Sequence, residues 1–153
     1  MEGPDASEFE SFFEAVEPEL RRAHFAVFGL ERGPEATAEA FAWAWETWPK
    51  ARDLESPVGY LFRVGQSKTR GRRFRSAFTP ATIEDPLVEP GLGVALEQLS
   101  ESQRAAVVLV YGFGWTLREV AQLRGIKITS VQTHLERGLR RLRAALGEVT
   151  TRA

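Results

Sequence analysis

Apolar residues recur along this chain at spacings of three and four, the period of helices that bury one face. Near the N-terminus Phe9, Phe12, Phe13, Val16, Leu20 and Val27 form one such stripe. Ser7 and Glu10 precede it at capping-box spacing, which predicts a first helix to about Phe28, with His24 on its flank. Gly29 and Gly33 bracket a short predicted loop, and Pro34 suits the first position of a second helix. That helix carries Ala38, Phe41, Trp45 and Trp48 on one face and is expected to end at Pro49, with Phe41, Trp45 and Trp48 in the core. Ser56 and Pro57 open a third helix, with Val58, Leu61 and Phe62 inward, predicted to continue to Arg75.

Ala77 to Gly93 contains Pro80, Pro86, Pro90, Gly91 and Gly93, a composition that cannot sustain a helix and reads as a linker. Its extended reach is at most about 60 Å. Beyond it, Ser100 and Gln103 cap a helix ending near Tyr111, and Gly112-Phe113-Gly114 makes a turn, with Trp115 as a plug between helix pairs. Thr116 with Glu119 is a further capping box, starting a helix at Leu117 that buries Leu117, Val120, Ala121 and Leu123. Gly125 falls where a tight turn needs positive φ. Ile126 and Ile128 are expected to plug that turn into the core, and Thr129 with Gln132 to cap a last helix starting near Ile128 or Thr129. Val131, Leu135, Leu139 and Leu142 face inward along it. No segment alternates as a strand would. The expected fold is all-α: an N-terminal three-to-four-helix bundle over residues 5–76, a Pro/Gly-rich linker over 77–93, and a C-terminal four-helix domain over 94–147.

Two helices around a tight turn, the second with a polar outer face, have the shape of a helix-turn-helix DNA reader. Lys127, Thr129, Ser130, Gln132, Thr133 and His134 stand where short polar side chains reach base edges, and Arg137, Arg140 and Arg141 where cations hold phosphates. A formal net charge of −1 argues against a nucleic-acid binder, but the distribution reverses that impression. Residues 1–50 carry −7, residues 51–78 carry +5, residues 79–100 carry −4 and residues 101–153 carry +5. Phosphate attraction is local, fading within about 10 Å at ~0.1 M salt, so clusters matter more than the total. The first basic cluster includes Arg63, Lys68, Arg70, Arg72 and Arg73.

Composition closes other routes. Hydrophobic content of 43% with 27% charged residues is that of a folded domain. The chain has no cysteine, which excludes disulfides and thiolate metal sites, and its two histidines lie far apart, so neither metal nor cofactor is expected. The longest apolar run, Ala105 to Tyr111, is too short to cross a bilayer, and the acidic MEGPDASEFE start lacks the layout of a secretion signal. A cytoplasmic protein with no membrane partner is the expectation. No His, Ser or Lys constellation supports catalysis, so the chain is not read as an enzyme.

The order of these parts resembles bacterial RNA polymerase sigma factors of the extracytoplasmic-function type. The resemblance rests on Leu99 to Arg143, similar to that family's fourth conserved region, and on Glu35 to Trp48 with Ser56 to Arg75, similar to its second. It implies a promoter-specificity subunit whose partners are core RNA polymerase and promoter DNA, with an anti-sigma factor as a further partner. By the same resemblance, Glu35, Glu39 and Trp43 dock on polymerase. Arg63, Gln66, Ser67, Lys68, Arg70, Arg72 and Arg73 approach the minus-ten element, and the last helix lies in the major groove at the minus-thirty-five element. The chain departs from the family's common residues at Ala38, Trp43, Ser67, Arg70, Lys127 and Gln132. The alternative is a stand-alone helix-turn-helix transcriptional regulator with an N-terminal protein-interaction domain.

Overall fold

The computed structural model describes residues 6–72 and 91–152, and every regular element among them is a helix. The expected linker residues 77–90 and the cations Arg73 and Arg75 lie outside the described residues.

The N-terminal half is a hairpin braced by a third rod. Helix α1 (Ala6–Glu46) is broken at Gly29, whose φ of 86° and ψ of −173° no side-chain-bearing residue adopts comfortably. This one residue folds the chain back, bringing Phe9 against Trp45 and Trp48 at centroid distances of 5.0 and 5.3 Å. The loop expected between Gly29 and Gly33 is therefore absent, and Pro34 lies inside the helix rather than at its start. Gly33 is needed for contact, since a Cβ there would lie 3.0 Å from the Phe25 Cα.

The buried stripe of the second arm is Ala36, Thr37, Ala40, Phe41 and Ala44, and its three alanines and threonine are small enough to let the arms approach. That close approach leaves Trp45 at the edge, 44% exposed, so Trp45 is not a core residue. Pro49 does not end this helix but sits in the first turn of the next, α2 (Trp48–Arg52), where a missing N–H costs nothing.

Helix α3 (Pro57–Thr69) packs along both arms of α1. Gly65 permits this, because a Cβ there would meet the Ala36 carbonyl oxygen at 2.5 Å and the His24 ring at 2.6 Å. His24 is fully buried in that crossing, not on the flank. Its ring lies 2.9 Å from the Thr37 hydroxyl and 3.3 Å from the Phe62 carbonyl oxygen. The helix stops at Thr69. Arg70 is extended and Gly71 has φ of 80°, so the expected continuation to Arg75 ends six residues early.

The C-terminal half comprises α4 (Leu92–Glu97), α5 (Glu101–Val107) with a π-helical extension Val108–Gly112, α6 (Leu117–Arg124) and α7 (Ile128–Arg152). The Ser100–Gln103 capping box forms in both directions. Ala105 to Leu109 is buried all round, so α5 is the central post of this half. Helix α7 crosses it at Gly138, where a Cβ would come within 2.8 Å of Val107.

The two halves touch. Trp115 presents its edge to Phe62 of α3 at 5.8 Å, so it plugs the junction between halves rather than the space between C-terminal helix pairs. One continuous hydrophobic cluster runs from Val16 to Val131.

Candidate nucleic-acid interface

The reader is assembled by caps. Glu119 N–H donates to the Thr116 hydroxyl at 3.1 Å while the Glu119 carboxylate accepts from Thr116 N–H at 3.5 Å, satisfying two orphan donors at the start of α6. At its end Gly125 takes φ of 67°. Ile126 N–H bonds the Ala121 carbonyl at 3.0 Å and Gly125 N–H that of Gln122 at 3.3 Å, the paired bonds of a Schellman motif. Two residues later α7 begins. Ser130 and Val131 both donate to the Lys127 carbonyl, so Lys127 is the residue at the entrance. Thr129 lies inside the first turn, its carbonyl accepting from the Thr133 hydroxyl at 3.1 Å, and the expected Thr129–Gln132 cap is not made.

Val131, Val120 and Leu123 lock the two helices together. Ile126 and Ile128, expected in that lock, stand outside it, 37% and 38% exposed. The positive-φ cap turns Ile126 away from the core, and Ile128 precedes the first inward position of α7. Opposite Val131 the outer face presents Thr129, Gln132, Thr133, Arg137 and Arg140, all exposed, with Ser130 and His134 half-buried on its flank. Arg141 is exposed too, and its guanidinium donates to the Gln103 side chain at 3.2 Å.

The first basic segment has a different character. Arg63, Ser67, Lys68 and Arg70 are exposed, but Gln66 is only 3% exposed. Its side-chain oxygen accepts from Arg124 of α6 at 2.9 Å, so in this arrangement Gln66 cannot meet a base. Arg72 reaches back to α1, 2.7 Å from Glu39 and 3.4 Å from Glu35. A cation expected at the minus-ten element is thus paired with two carboxylates expected to dock on polymerase. Trp43 is half-buried against Tyr60, ring centroids 5.2 Å apart, with the Lys50 ammonium 5.9 Å from both rings.

Between the halves lies a polar joint that the sequence did not announce. Arg32, stacked 4.0 Å over the Phe28 ring, donates to the Thr69 hydroxyl at 3.0 Å and the Gln66 carbonyl at 3.3 Å, and pairs with Glu101. Arg124 lies 3.5 Å from the other oxygen of Glu101. Arg104, 4% exposed, donates to the Val27 carbonyl at 2.7 Å and to those of Leu99 and Leu96 at 3.1 and 3.4 Å. These oxygens lie just before the Gly29 break and at the end of α4, where carbonyls lack helical partners and a cation is favoured. Burial pulls the Arg104 guanidinium down to about 10, with Glu101 opposing. Burial likewise lowers Arg124, with Glu101 again opposing. At about 10, Arg104 remains a cation at neutral pH. The bonds that cross between the halves join residues 58 to 77 apart, Arg124 to Gln66, Arg32 to Glu101 and Arg104 to Val27, beyond any local pattern. The one signal in the sequence is Arg104 itself, a charge directly before the buried apolar run Ala105 to Leu109.

Beside this joint an open cleft of about 460 Å³ is lined by Asp53, Tyr60, Arg63, Trp115 and Glu119 among others. Among the described residues no cluster of three or more His, Cys, Asp or Glu could hold a metal ion, and no helix is long and apolar enough to cross a membrane.

Known proteins share these parts. Residues 92–142 match the family described as Sigma-70, region 4. The RNA polymerase sigma factor CarQ of Myxococcus xanthus is 39% identical over 75 residues, which cover 46% of this chain and 43% of CarQ, so the match spans less than half the length of that relative. The solved structure of the sigma factor RpoE from Bartonella quintana, in complex with the anti-sigma factor NepR, superposes with a TM-score of 0.75 over 93% of this chain and 98% of that one, at 19% identity. That likeness establishes the all-α fold across both halves. The chain resembles sigma factors of the extracytoplasmic-function type in its C-terminal sequence and in its whole fold.

Proposed function

We propose that this chain, resembling such sigma factors, is a promoter-specificity subunit: it binds core RNA polymerase and directs initiation by reading minus-ten and minus-thirty-five elements. The observation that carries the reading is the capped α6–Gly125–α7 unit, inside the sigma-70 region 4 match, with Arg137 and Arg140 exposed beyond a polar N-terminal turn. Residues Lys127, Thr129, Ser130, Gln132, Thr133, His134, Arg137, Arg140 and Arg141 are assigned to the minus-thirty-five element. Arg63, Ser67, Lys68, Arg70, Arg72 and Arg73 are assigned to the minus-ten region, with Gln66 joining them once Arg124 releases it. Glu35, Glu39 and Trp43 are assigned to polymerase docking.

The subunit does no chemistry of its own; it positions the enzyme and helps open the duplex, in the cytoplasm. An anti-sigma factor is a further partner in this reading, supported by the partner named for the RpoE structure.

The acidic first 50 residues, at −7, repel free DNA, so binding to DNA alone is expected to be weak and specific transcription to require core enzyme. Run-off transcription on a promoter library, with and without core polymerase, tests this. Promoter-selective transcripts only when both are present are the expected result. Saturable, sequence-specific DNA binding with no effect on polymerase would replace the proposal with the stand-alone regulator.

A further inference from the structure

Two branched apolar side chains stand at the mouth of the reader with no core to enter. Ile126 and Ile128 border a shallow hollow whose rim includes Arg118, Gln122, Lys127 and Thr129. A single exposed apolar residue needs no explanation, but two side by side in a cation-rimmed hollow form a surface. Nothing in the fold asks for isoleucine at the second position. The first residue of a helix has no preceding turn to pack on, and β-branching there gains no helical stability.

Major-groove edges carry one prominent apolar feature, the 5-methyl group of thymine. The N-terminal residues of a recognition helix are those that meet base edges. Ile128 opens α7, and Gln132, one turn further on, is exposed on the same flank. Four residues of helix rise about 6 Å, the span of roughly two base-pair steps at ~3.4 Å each, and a glutamine amide is the bidentate reader of adenine. Arg118 and Lys127 on the rim supply the phosphate contacts that would seat the hollow against the strand.

We propose that Ile128, with Ile126 beside it, reads the 5-methyl group of a thymine in the minus-thirty-five element, one or two base pairs from the adenine met by Gln132. The proposal rests on the promoter-reading function above and adds a specificity residue to it.

The test uses holoenzyme assembled from the full chain and core polymerase, on a promoter taken from the run-off library. Each thymine of the upstream element, on either strand, is replaced in turn by deoxyuridine, which keeps every hydrogen-bonding group and lacks only the methyl. Binding is read by fluorescence anisotropy. Deoxyuridine at one or two adjacent positions should weaken wild-type binding about fourfold, the effect of removing one buried methyl, and leave the other positions unchanged. In Ile128→Ala the thymine and deoxyuridine promoters should bind equally, while Ile128→Val keeps part of the difference. Lys127→Ala should weaken both promoters alike.

Wild-type binding indifferent to deoxyuridine everywhere, with promoter selectivity intact, would overturn the thymine contact and leave the proposed function standing. So would undiminished discrimination in an Ile126→Ala/Ile128→Ala double variant. Ile128→Ala weakening core-polymerase capture without DNA, with no methyl discrimination in the wild type, would assign the hollow to polymerase and overturn the proposal. Absence of any promoter preference in the wild-type holoenzyme would overturn both readings together.

Discussion

Two stretches of this chain carry the same net charge of +5, residues 51–78 and residues 101–153, and the fold gives their cations different surroundings. In the second, a long helix capped by its own turn holds Arg137 and Arg140 on an exposed face with an apolar stripe behind. In the first, the helix stops at Thr69, Gln66 is buried under Arg124, and Arg72 is paired with Glu35 and Glu39. Equal charge does not make equal binding surfaces. What differs is the company the cations keep: Arg72 lies against two carboxylates, whereas Arg137 and Arg140 share one polar helix face.

The contrast can be broken most forcefully by acid. Burial pushes His24 down to about 4 from an ordinary value of 6.5, so the folded state holds it neutral while the unfolded chain protonates it. Its stabilising share is complete above pH 6.5 and is lost as pH falls towards 4, roughly 3 kcal/mol in all. Urea unfolding followed by tryptophan fluorescence at pH 7.5, 5.5 and 4 should show that decline, and His24→Phe, which cannot titrate, should flatten it.

Next in size is Gly65→Ala. A methyl 2.5 Å from a carbonyl oxygen on α1 cannot be accommodated by a side-chain rotation, so the crossing must open. An overpacking cost of about 1–3 kcal/mol outweighs the roughly 1 kcal/mol of helix propensity gained, and the unfolding midpoint in urea should fall accordingly. On the C-terminal side, Arg137→Ala with Arg140→Ala should leave that midpoint unchanged. It should cut holoenzyme affinity for promoter DNA tenfold or more and lower the slope of log affinity against log salt by about two, one for each phosphate no longer neutralised. Smallest is the release of Arg72. Glu35→Gln with Glu39→Gln removes two exposed pairs of modest strength, and affinity for single-stranded minus-ten DNA, read by anisotropy with the full chain, should rise about twofold. No rise would mean that Arg72 does not contribute to the minus-ten surface.

Local signals in the sequence translate well into this structure. The Ser100–Gln103 and Thr116–Glu119 boxes, the Gly125 turn and the Pro57 start all depend on residues within four positions of one another, and all form as their spacing requires. Other local signals misled: Pro34 lies inside a helix, Pro49 opens one, and Thr129 with Gln132 makes no cap. The remaining failures were tertiary in cause. Trp45 shares a helical face with Phe41, yet the alanines of that helix draw the hairpin so tight that the larger ring is left at its edge. Ile126 and Ile128 look like core residues by composition, and only the geometry of the cap shows which way they point. The polar joint was illegible because its members are far apart in sequence and its acceptors are mostly backbone carbonyls, which have no letter. In the candidate site, the α7 face was readable from helical period alone. The burial of Gln66 was not, since it depends on the C-terminal half lying against α3.

The length of a promoter sets a requirement on the fold. A minus-ten and a minus-thirty-five element lie about 25 base pairs apart, some 85 Å of duplex at ~3.4 Å per step. Helix α7, the longest uninterrupted rod, measures about 37 Å over its 25 residues. That rod spans less than half of the distance, so the proposed reading needs two separate surfaces, one in each half of the molecule. The fastening between the halves combines guanidinium groups on carbonyls and a shared carboxylate with the apolar contact of Trp115 on Phe62. Because the hydrophobic cluster is continuous through this seam, parting the halves would wet apolar surface around Phe62 and Trp115 as well as free the cations.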